Sequence, residues 1–373
     1  MRTITIAYDQ SHYVYRWLKP MMAAHKEFKI LGYKLEYTSI LDYFPFFSGK
    51  RMHEQEKRVL KNVMNKRHDI VMLAFHHSTS VLGRCTEMER EDILRKIKAN
   101  CNILLWMDTA DSTGTCLFDV MPYVDLYFKK QLLNNREDYC KDIWGGRVFC
   151  EYYHNLLKVD DKQVTKRYYP PLDKQYLNKL RISWNVGIGD LFANPYQLLL
   201  KPFNVTKPKF INPENEKPLD IQYRGSGYSP IAGYPRSKSK DLLKEIADIK
   251  CSDVTKKIPH KAYVWEGQSA KSILSPFGWG EICGRDFEAM VYGATMIKQS
   301  MAHCCTYPDI YKPWETYVPL KWDFSDFKEL VSKASSQEYR KIAVQGQKQY
   351  RYYFTQQAKM EFAKHIVNEI QNL

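Results

Sequence analysis

Among the 373 residues, one run carries the densest set of groups able to do chemistry: Ser275-Pro-Phe-Gly-Trp-Gly-Glu-Ile-Cys-Gly-Arg-Asp-Phe-Glu288. It lies inside Ser272–Ile297, which reads as strand, Gly-rich loop, helix, small-residue turn and strand. Gly278 and Gly280 remove side chains where the backbone has to approach a ligand closely. A helix beginning near Glu281–Gly284 offers free N–H groups and a partial positive charge, an arrangement suited to a pyrophosphate. Arg285, in the first turn, adds a bidentate donor for a phosphate. Glu288 follows about one turn later, on the face of Arg285 or Gly284, where a carboxylate can accept both hydroxyls of a ribose. Taken singly, Glu281, Arg285 and Glu288 also suit an exposed helix with an ion pair three residues apart. The Gly-rich approach and the small-residue exit favour the ligand reading.

The elements needed to position such a segment recur along the chain. Arg2–Tyr8, 33–39, Asp69–Phe75, Asn102–Met107 and Val124–Phe128 read as strands, with helical patterns over His12–Lys26, Glu54–Lys66 and Glu87–Lys98 between them. Asp69–Phe75 is apolar on both faces, as a central parallel strand must be. Leu180–Trp184 is suited to closing this first sheet, and residues 155–180 read as charged and irregular. Strands alternating with helices predict βαβ units and a parallel, doubly wound sheet, which binds ligands beyond its carboxyl edge. The polar residues placed there are Asp9, Gln10 and His12, then His76 and His77, then Asp108, Asp111, Ser112 and Thr113.

A second series follows. Leu219–Tyr223, Ala262–Trp265, Lys271–Leu274, Ala294–Lys298 and Thr316–Lys321 read as strands. Lys238–Ile249, Ile282–Tyr292, Phe324–Ser332 and Glu338–Asn372 read as helical. The expected fold class is therefore α/β, with two Rossmann-like doubly wound domains. Residues 1–200 form the first, 201–217 a Pro-, Asn- and Lys-rich linker, 218–335 the second, and 336–373 terminal helices.

Length alone favours two cores over one. The formal charge of +14 and the pI of about 9.1 suit an anionic partner: a nucleotide, an acidic glycan, nucleic acid or a membrane surface. A plainly solvated basic surface is the competing reading. The nine cysteines are odd in number, contain no C-x-x-C, and have one adjacent pair, Cys304 and Cys305. They read as reduced thiols, with neither a disulfide framework nor a zinc site. The opening Met-Arg-Thr-Ile-Thr-Ile-Ala reads as a strand and not as a signal peptide, and no apolar run approaches a membrane span. The expected location is therefore the cytoplasm, and the sequon at Asn204 is taken as chance.

Glu288-Ala-Met-Val-Tyr-Gly-Ala-Thr-Met-Ile resembles the signature of the C-terminal domain of GT-B glycosyltransferases. Thr306-Tyr-Pro-Asp-Ile-Tyr, the run from Glu315 to Asp326, Asp108-Thr-Ala-Asp-Ser-Thr-Gly, Lys129-Lys-Gln and Gly145-Gly-Arg are similar to a group of bacterial and viral polysaccharide transferases, the group 1-like enzymes. The resemblance touches both halves and about a third of the chain. It implies two domains facing a cleft, bridged by the C-terminal helices. A UDP- or GDP-sugar would be the donor and a glycan the acceptor, with a possible peripheral membrane contact and no stable nucleic-acid partner. Many retaining members carry two Glu separated by seven residues; here Gly280 occupies the first position and Glu281 stands one residue closer to Glu288.

Under that resemblance, the donor side includes Arg224, Gly278, Gly280, Glu281, Arg285, Glu288 and Lys298. Arg224 opens the Arg-Gly-Ser-Gly loop, which is not a full dinucleotide fingerprint because Pro230 stands where the third Gly belongs. A surface turn at Arg224 and a structural Lys298 are the competing readings. Tyr317, Asp323 and Asp326 lie in the similar tail, although Asp326 or Ser325 also suits a helix cap. An inverting transfer needs a base in the first domain, for which Asp9, His12 and Asp108 are the candidates, Asp9 and Asp108 foremost. Asp9 also suits an Asx-turn or cap at Ser11, and His76 or His77 a core histidine. No D-x-D triplet occurs, so the expectation is no cofactor and no metal, with the helix start and cations holding the diphosphate. Two other readings are a basic nucleic-acid-binding protein, whose Lys and Arg here are dispersed and motif-free, and another nucleotide-sugar-modifying or dinucleotide enzyme, which would carry a Gly fingerprint after the first strand.

Overall fold

The structure is a computed structural model describing residues 1–9, 11–38, 49–160, 169–193, 203–225, 232–254 and 256–373. Gln10, Ser39, Ser226, Gly227, Pro230 and the residues on both sides of the expected boundary at 200 lie outside the described residues. Seven strands precede residue 183: β1 (Arg2–Tyr8), β2 (Tyr33–Tyr37), β3 (His68–Ala74), β4 (Cys101–Asp108), β5 (Leu126–Lys129), β6 (Gln131–Leu133) and β7 (Leu180–Ile182). Five follow: β8 (Leu219–Gln222), β9 (Ala270–Leu274), β10 (Thr295–Gln299), β11 (Cys304–Thr306) and β12 (Val318–Leu320).

The first sheet has the order β2-β1-β3-β4-β5-β7, and every neighbouring pair is parallel. The second has the order β12-β10-β9-β8, again parallel throughout. In the first sheet β1 lies inside and the order reverses beside it, so a switch point opens at that carboxyl edge; in the second sheet β8 is an edge strand and the order runs one way. The α/β class with two doubly wound sheets is thus the architecture that alternating strand and helix patterns dictate.

Burial explains the elements. β3 and β4 end in five consecutive buried residues each, covered on one face by Val59, Leu60, Leu94 and Ile97 and on the other by Val14, Leu18, Met21 and Phe28. The helix Glu87–Ala99 begins at a capping box in which Thr86 and Glu89 satisfy each other's backbone N–H groups. The second core gathers around Ile273, Leu274, Phe287, Met296 and Val318.

The two halves interlock. The helix Val148–Leu157, which falls partly in the stretch read as irregular, sends Phe149, Cys150 and Tyr153 into the second core although it precedes β7 in the chain. β6 pairs antiparallel with β11, Gln131 opposite Thr306, making a two-stranded ribbon from both halves. The terminal stretch is two helices: Gln337–Tyr352 packs on β10 and the helix Gly284–Val291, while Gln356–Gln371 returns to the first half through Phe362, Ile366 and Ile370. The break falls where Thr355 caps the second helix through the Ala358 N–H.

One expected strand is a helix. Ala262–Trp265 belongs to the helix His260–Gln268. Its short apolar run is ambiguous in period, and the helix starts directly after Pro259. Residues 203–218 contain no regular element, as read for the linker, but they are tied to the second half: Ile211 N–H donates to the Val291 carbonyl, and Lys217 donates to the carbonyls of Tyr292 and Gly293.

Candidate functional site

The carboxyl edges of the two sheets meet, and the loop after β4 touches the loop after β9. Glu281 is completely buried in that seam. Its carboxylate accepts the Thr113 N–H at 3.0 Å and hydroxyl at 2.7 Å, lies 3.4 Å from the Gln131 amide, and has the His303 ring 3.5 Å away. Desolvation pushes the Glu281 carboxyl up, but His303 and Thr113 outweigh it and hold the group at about 2. Glu281 is therefore spent on joining the halves. Gly280 serves the same seam, because any Cβ there would be driven into the Asp111 carbonyl. The close approach expected of Gly280 is to protein backbone.

The second-half side of the seam carries the cationic groups. The helix Gly284–Val291 starts at Cys283, with open space where a Gly284 side chain would stand. The nearly buried Arg285 guanidinium donates to the Arg224 and Pro276 carbonyls and lies 5.7 Å above the Tyr223 ring. Its Nε has no hydrogen-bond partner among the described residues. Arg236, from the first turn of the helix Tyr234–Lys244, reaches the same place. Its guanidinium fills the space a Gly278 side chain would need, and its carbonyl accepts the Tyr223 hydroxyl at 2.7 Å. Arg236 is absent from the residues that the motifs single out; its signal in the sequence is an Arg opening a helix just after a Gly-rich loop. Glu288 is half-buried and accepts the Tyr263 hydroxyl. Desolvation raises the Glu288 carboxyl against the pull of Tyr263 and Arg285.

Two expected donor-side cations are committed elsewhere. Arg224 forms a two-pronged ion pair with Glu266, at 2.9 and 2.6 Å, and donates to the Asp253 and Lys256 carbonyls. A planar guanidinium matched to a carboxylate in this way is satisfied without a phosphate. Lys298 does not face the cleft: it is fully buried 3.2 Å from Asp286, which also takes the hydroxyls of Ser275 and Tyr311. A strand buried on both faces leaves its charged side chain no route to solvent, so a buried carboxylate must pair it.

A cavity of about 340 Å³ opens at the carboxyl edge of the first sheet, within the usual range for small-molecule sites. Tyr13, Trp17, His76, Asp111, Lys130 and Asp190 are among its lining residues. Asp111 is the carboxylate most open to solvent there, its side chain 61% exposed and 3.0 Å from the Lys130 ammonium. Desolvation at the cleft floor raises the Asp111 carboxyl, but Lys130 wins and holds it below the usual carboxylate range, ionised at neutral pH. Burial lowers the His76 imidazole, and its Nδ1 accepts the Ser78 N–H at 3.3 Å.

The foremost base candidates lie outside this cavity. Asp9 is buried and accepts the Ser11 and His76 N–H groups, the turn-forming alternative for that residue. Asp108 is buried against Lys129 at 3.0 Å, the Tyr127 hydroxyl at 2.5 Å and the Ala110 N–H at 2.7 Å. Burial raises its carboxyl, but Lys129 and these donors more than compensate and bring it below its usual value. His12 is exposed, its ring centroid 4.0 Å from that of Tyr13. Tyr317, by its burial, belongs to the second core, and Asp326 accepts the Lys321 N–H. Among the described residues no group of three or more His, Cys, Asp and Glu could hold a metal ion, and no helix is long and apolar enough to cross a membrane.

No protein-family model matches the chain, and no curated protein does. Several solved structures are similar to it. HepE of Anabaena in complex with UDP-glucose is 10% identical, with a TM-score of 0.45 and all of both chains covered. An alpha-glucosyltransferase in complex with UDP is 10% identical, with a TM-score of 0.41, covering 98% of this chain and 100% of that one. Sucrose-phosphate synthase from Thermosynechococcus elongatus is 10% identical, with a TM-score of 0.45 and full coverage of both.

Proposed function

We propose that this chain is a GT-B type glycosyltransferase, moving a sugar from a nucleoside-diphosphate sugar to a hydroxyl of a glycan acceptor without a metal. The observation that carries the reading is the meeting of two parallel sheets at their carboxyl edges, with cations on one side and a carboxylate-bearing cavity on the other. The start of the helix Gly284–Val291, Arg285 and Arg236 form a cationic corner for a diphosphate, whose leaving charge they would stabilise without reorganising. Glu288, held by Tyr263, is the group for the ribose hydroxyls. The acceptor hydroxyl would lie in the cavity and give its proton to Asp111 as its oxygen bonds to the anomeric carbon and the bond to the diphosphate breaks. Asp111 is preferred to His76 because Nδ1 of the neutral His76 ring already accepts a hydrogen bond, leaving the proton on Nε2. A nucleotide-sugar supply accords with a cytoplasmic site of action, and the excess positive charge with acidic or membrane-borne acceptors.

The test is thermal denaturation with a panel of nucleoside diphosphates. UDP or GDP should raise Tm, and Glu288→Ala and Arg285→Ala should abolish the rise. A panel with no stabilising member would sink the reading.

A further inference from the structure

Between the cavity and the helix that begins the cationic corner lies a short turn, residues 185–191, built into both. On one side Val186, Asp190 and Leu191 line the cavity. Trp184, just before the turn, stacks on the cavity residue Trp17 with centroids 4.5 Å apart, and each indole N–H donates to the other residue's carbonyl, at 2.9 and 2.7 Å.

On the other side the turn is fastened to the second half. Asn185 donates two hydrogen bonds to the loop after β11: its N–H to the Tyr307 carbonyl at 2.6 Å and its side-chain amide to the Pro308 carbonyl at 3.0 Å. The Gly187 carbonyl accepts the Tyr350 hydroxyl. Gly187 itself lies against the edge of the Phe287 ring, so close that a Cβ would have to occupy the place of the ring atoms. Phe287 is fully buried, stands between Arg285 and Glu288 in sequence, and packs on Tyr350 with centroids 5.5 Å apart. It therefore cannot move without moving either the helix or the turn, because a close-packed interior transmits displacement and does not absorb it.

We infer that the Gly187 turn is a mechanical link between the two sites, through which a nucleotide held at Arg285 and Glu288 resets the cavity wall at Val186 and Trp17. Gly187 is a positioning residue: it touches neither ligand, and it acts by letting Phe287 bear directly on backbone. Tyr350 clamps the contact from the far side. The coupling is reciprocal, so a cavity ligand alters nucleotide affinity by the same factor. This inference rests on the nucleotide reading of the Arg285 corner.

The test uses the full chain labelled with 5-fluorotryptophan, the Trp17 resonance being assigned by its loss in Trp17→Phe. UDP and GDP are titrated separately, with binding followed calorimetrically in the same samples. The expected result is a shift of the Trp17 resonance that saturates with the bound nucleotide. In Tyr350→Phe, and in Gly187→Ala where that variant folds, the nucleotide still binds but the Trp17 shift falls to less than half. Nucleotide binding without any Trp17 shift overturns the link and leaves the donor reading standing. An undiminished shift in Tyr350→Phe, which removes one hydroxyl and no packing, also overturns it. Failure of both nucleotides to bind the unaltered chain overturns the donor reading and the link together.

Discussion

The Glu281 carboxylate and the Thr113 hydroxyl, 168 positions apart in the chain, meet at 2.7 Å. Glu281→Ala would leave the Thr113 and Gln131 donors unsatisfied in a dry seam, at a cost of about 3 kcal/mol. The expected outcome is a lower Tm and faster proteolysis between the halves, with Glu281→Gln milder because its carbonyl can still accept from Thr113. The acid limb has a defined sign. The folded carboxyl is held at about 2 against a usual 4.5, so its stabilisation is complete above the usual value and is lost as pH falls from there through about 2. Acid unfolding monitored across that window should flatten in Glu281→Gln.

Asp108 and Asp111 differ in position by three and are expected to fail in different ways. Asp108→Asn strips the partner from a buried Lys129 ammonium, which costs about 3–5 kcal/mol and should appear as lost folded protein in denaturant titration. Asp111→Asn removes a carboxylate that reaches the cavity. It should leave the free energy of unfolding within about 0.5 kcal/mol of the parent, leave nucleotide binding intact, and lower the rate of sugar transfer by about 100-fold or more. Equal destabilisation by the two changes would remove Asp111 from the base role.

Arg236 shares the Tyr223 corner with Arg285, although no motif announces it. Arg236→Ala should weaken UDP or GDP binding roughly tenfold or more, the worth of one charge-assisted hydrogen bond. Arg224→Ala, by contrast, should lower stability through the abandoned Glu266 and leave affinity for the nucleotide nearly unchanged. Isothermal titration on both variants separates these outcomes.

Glu56 gives a pH effect of the opposite sign. It is fully buried, accepts the Val81 N–H at 2.6 Å, and is pushed up to about 7, first by desolvation and further by the nearby Asp9, against the pull of Val81 and Arg84. The folded state therefore prefers the protonated acid. Stability is full below the usual carboxyl range and falls as pH rises through about 7. Glu56→Gln should erase that loss, so its Tm relative to the parent should be higher at pH about 8 than at pH about 5. A constant difference between the two pH values would disprove the burial cost.

The alternating patterns by themselves determined the two parallel sheets, since a strand buried on both faces is mostly apolar, as over the greater part of Asp69–Phe75 and Asn102–Met107. They also determined that Ser275–Glu288 is a loop leading into a helix with Arg285 in its first turn, because local capping and glycine chemistry are written locally. What the sequence left open was where each polar side chain points. Asp9, Asp108 and Lys298 all stand at or beside strand ends, and only the packed structure decided that each is shut in with a partner while Asp111 opens onto the cavity. The same holds for Glu281, Arg236 and Gly187. Their partners Thr113, Gly278 and Phe287 lie tens to hundreds of positions away, so no local spacing could announce them. Period and propensity act over a few residues, whereas burial, charge pairing and close approach are settled when distant segments share one interior.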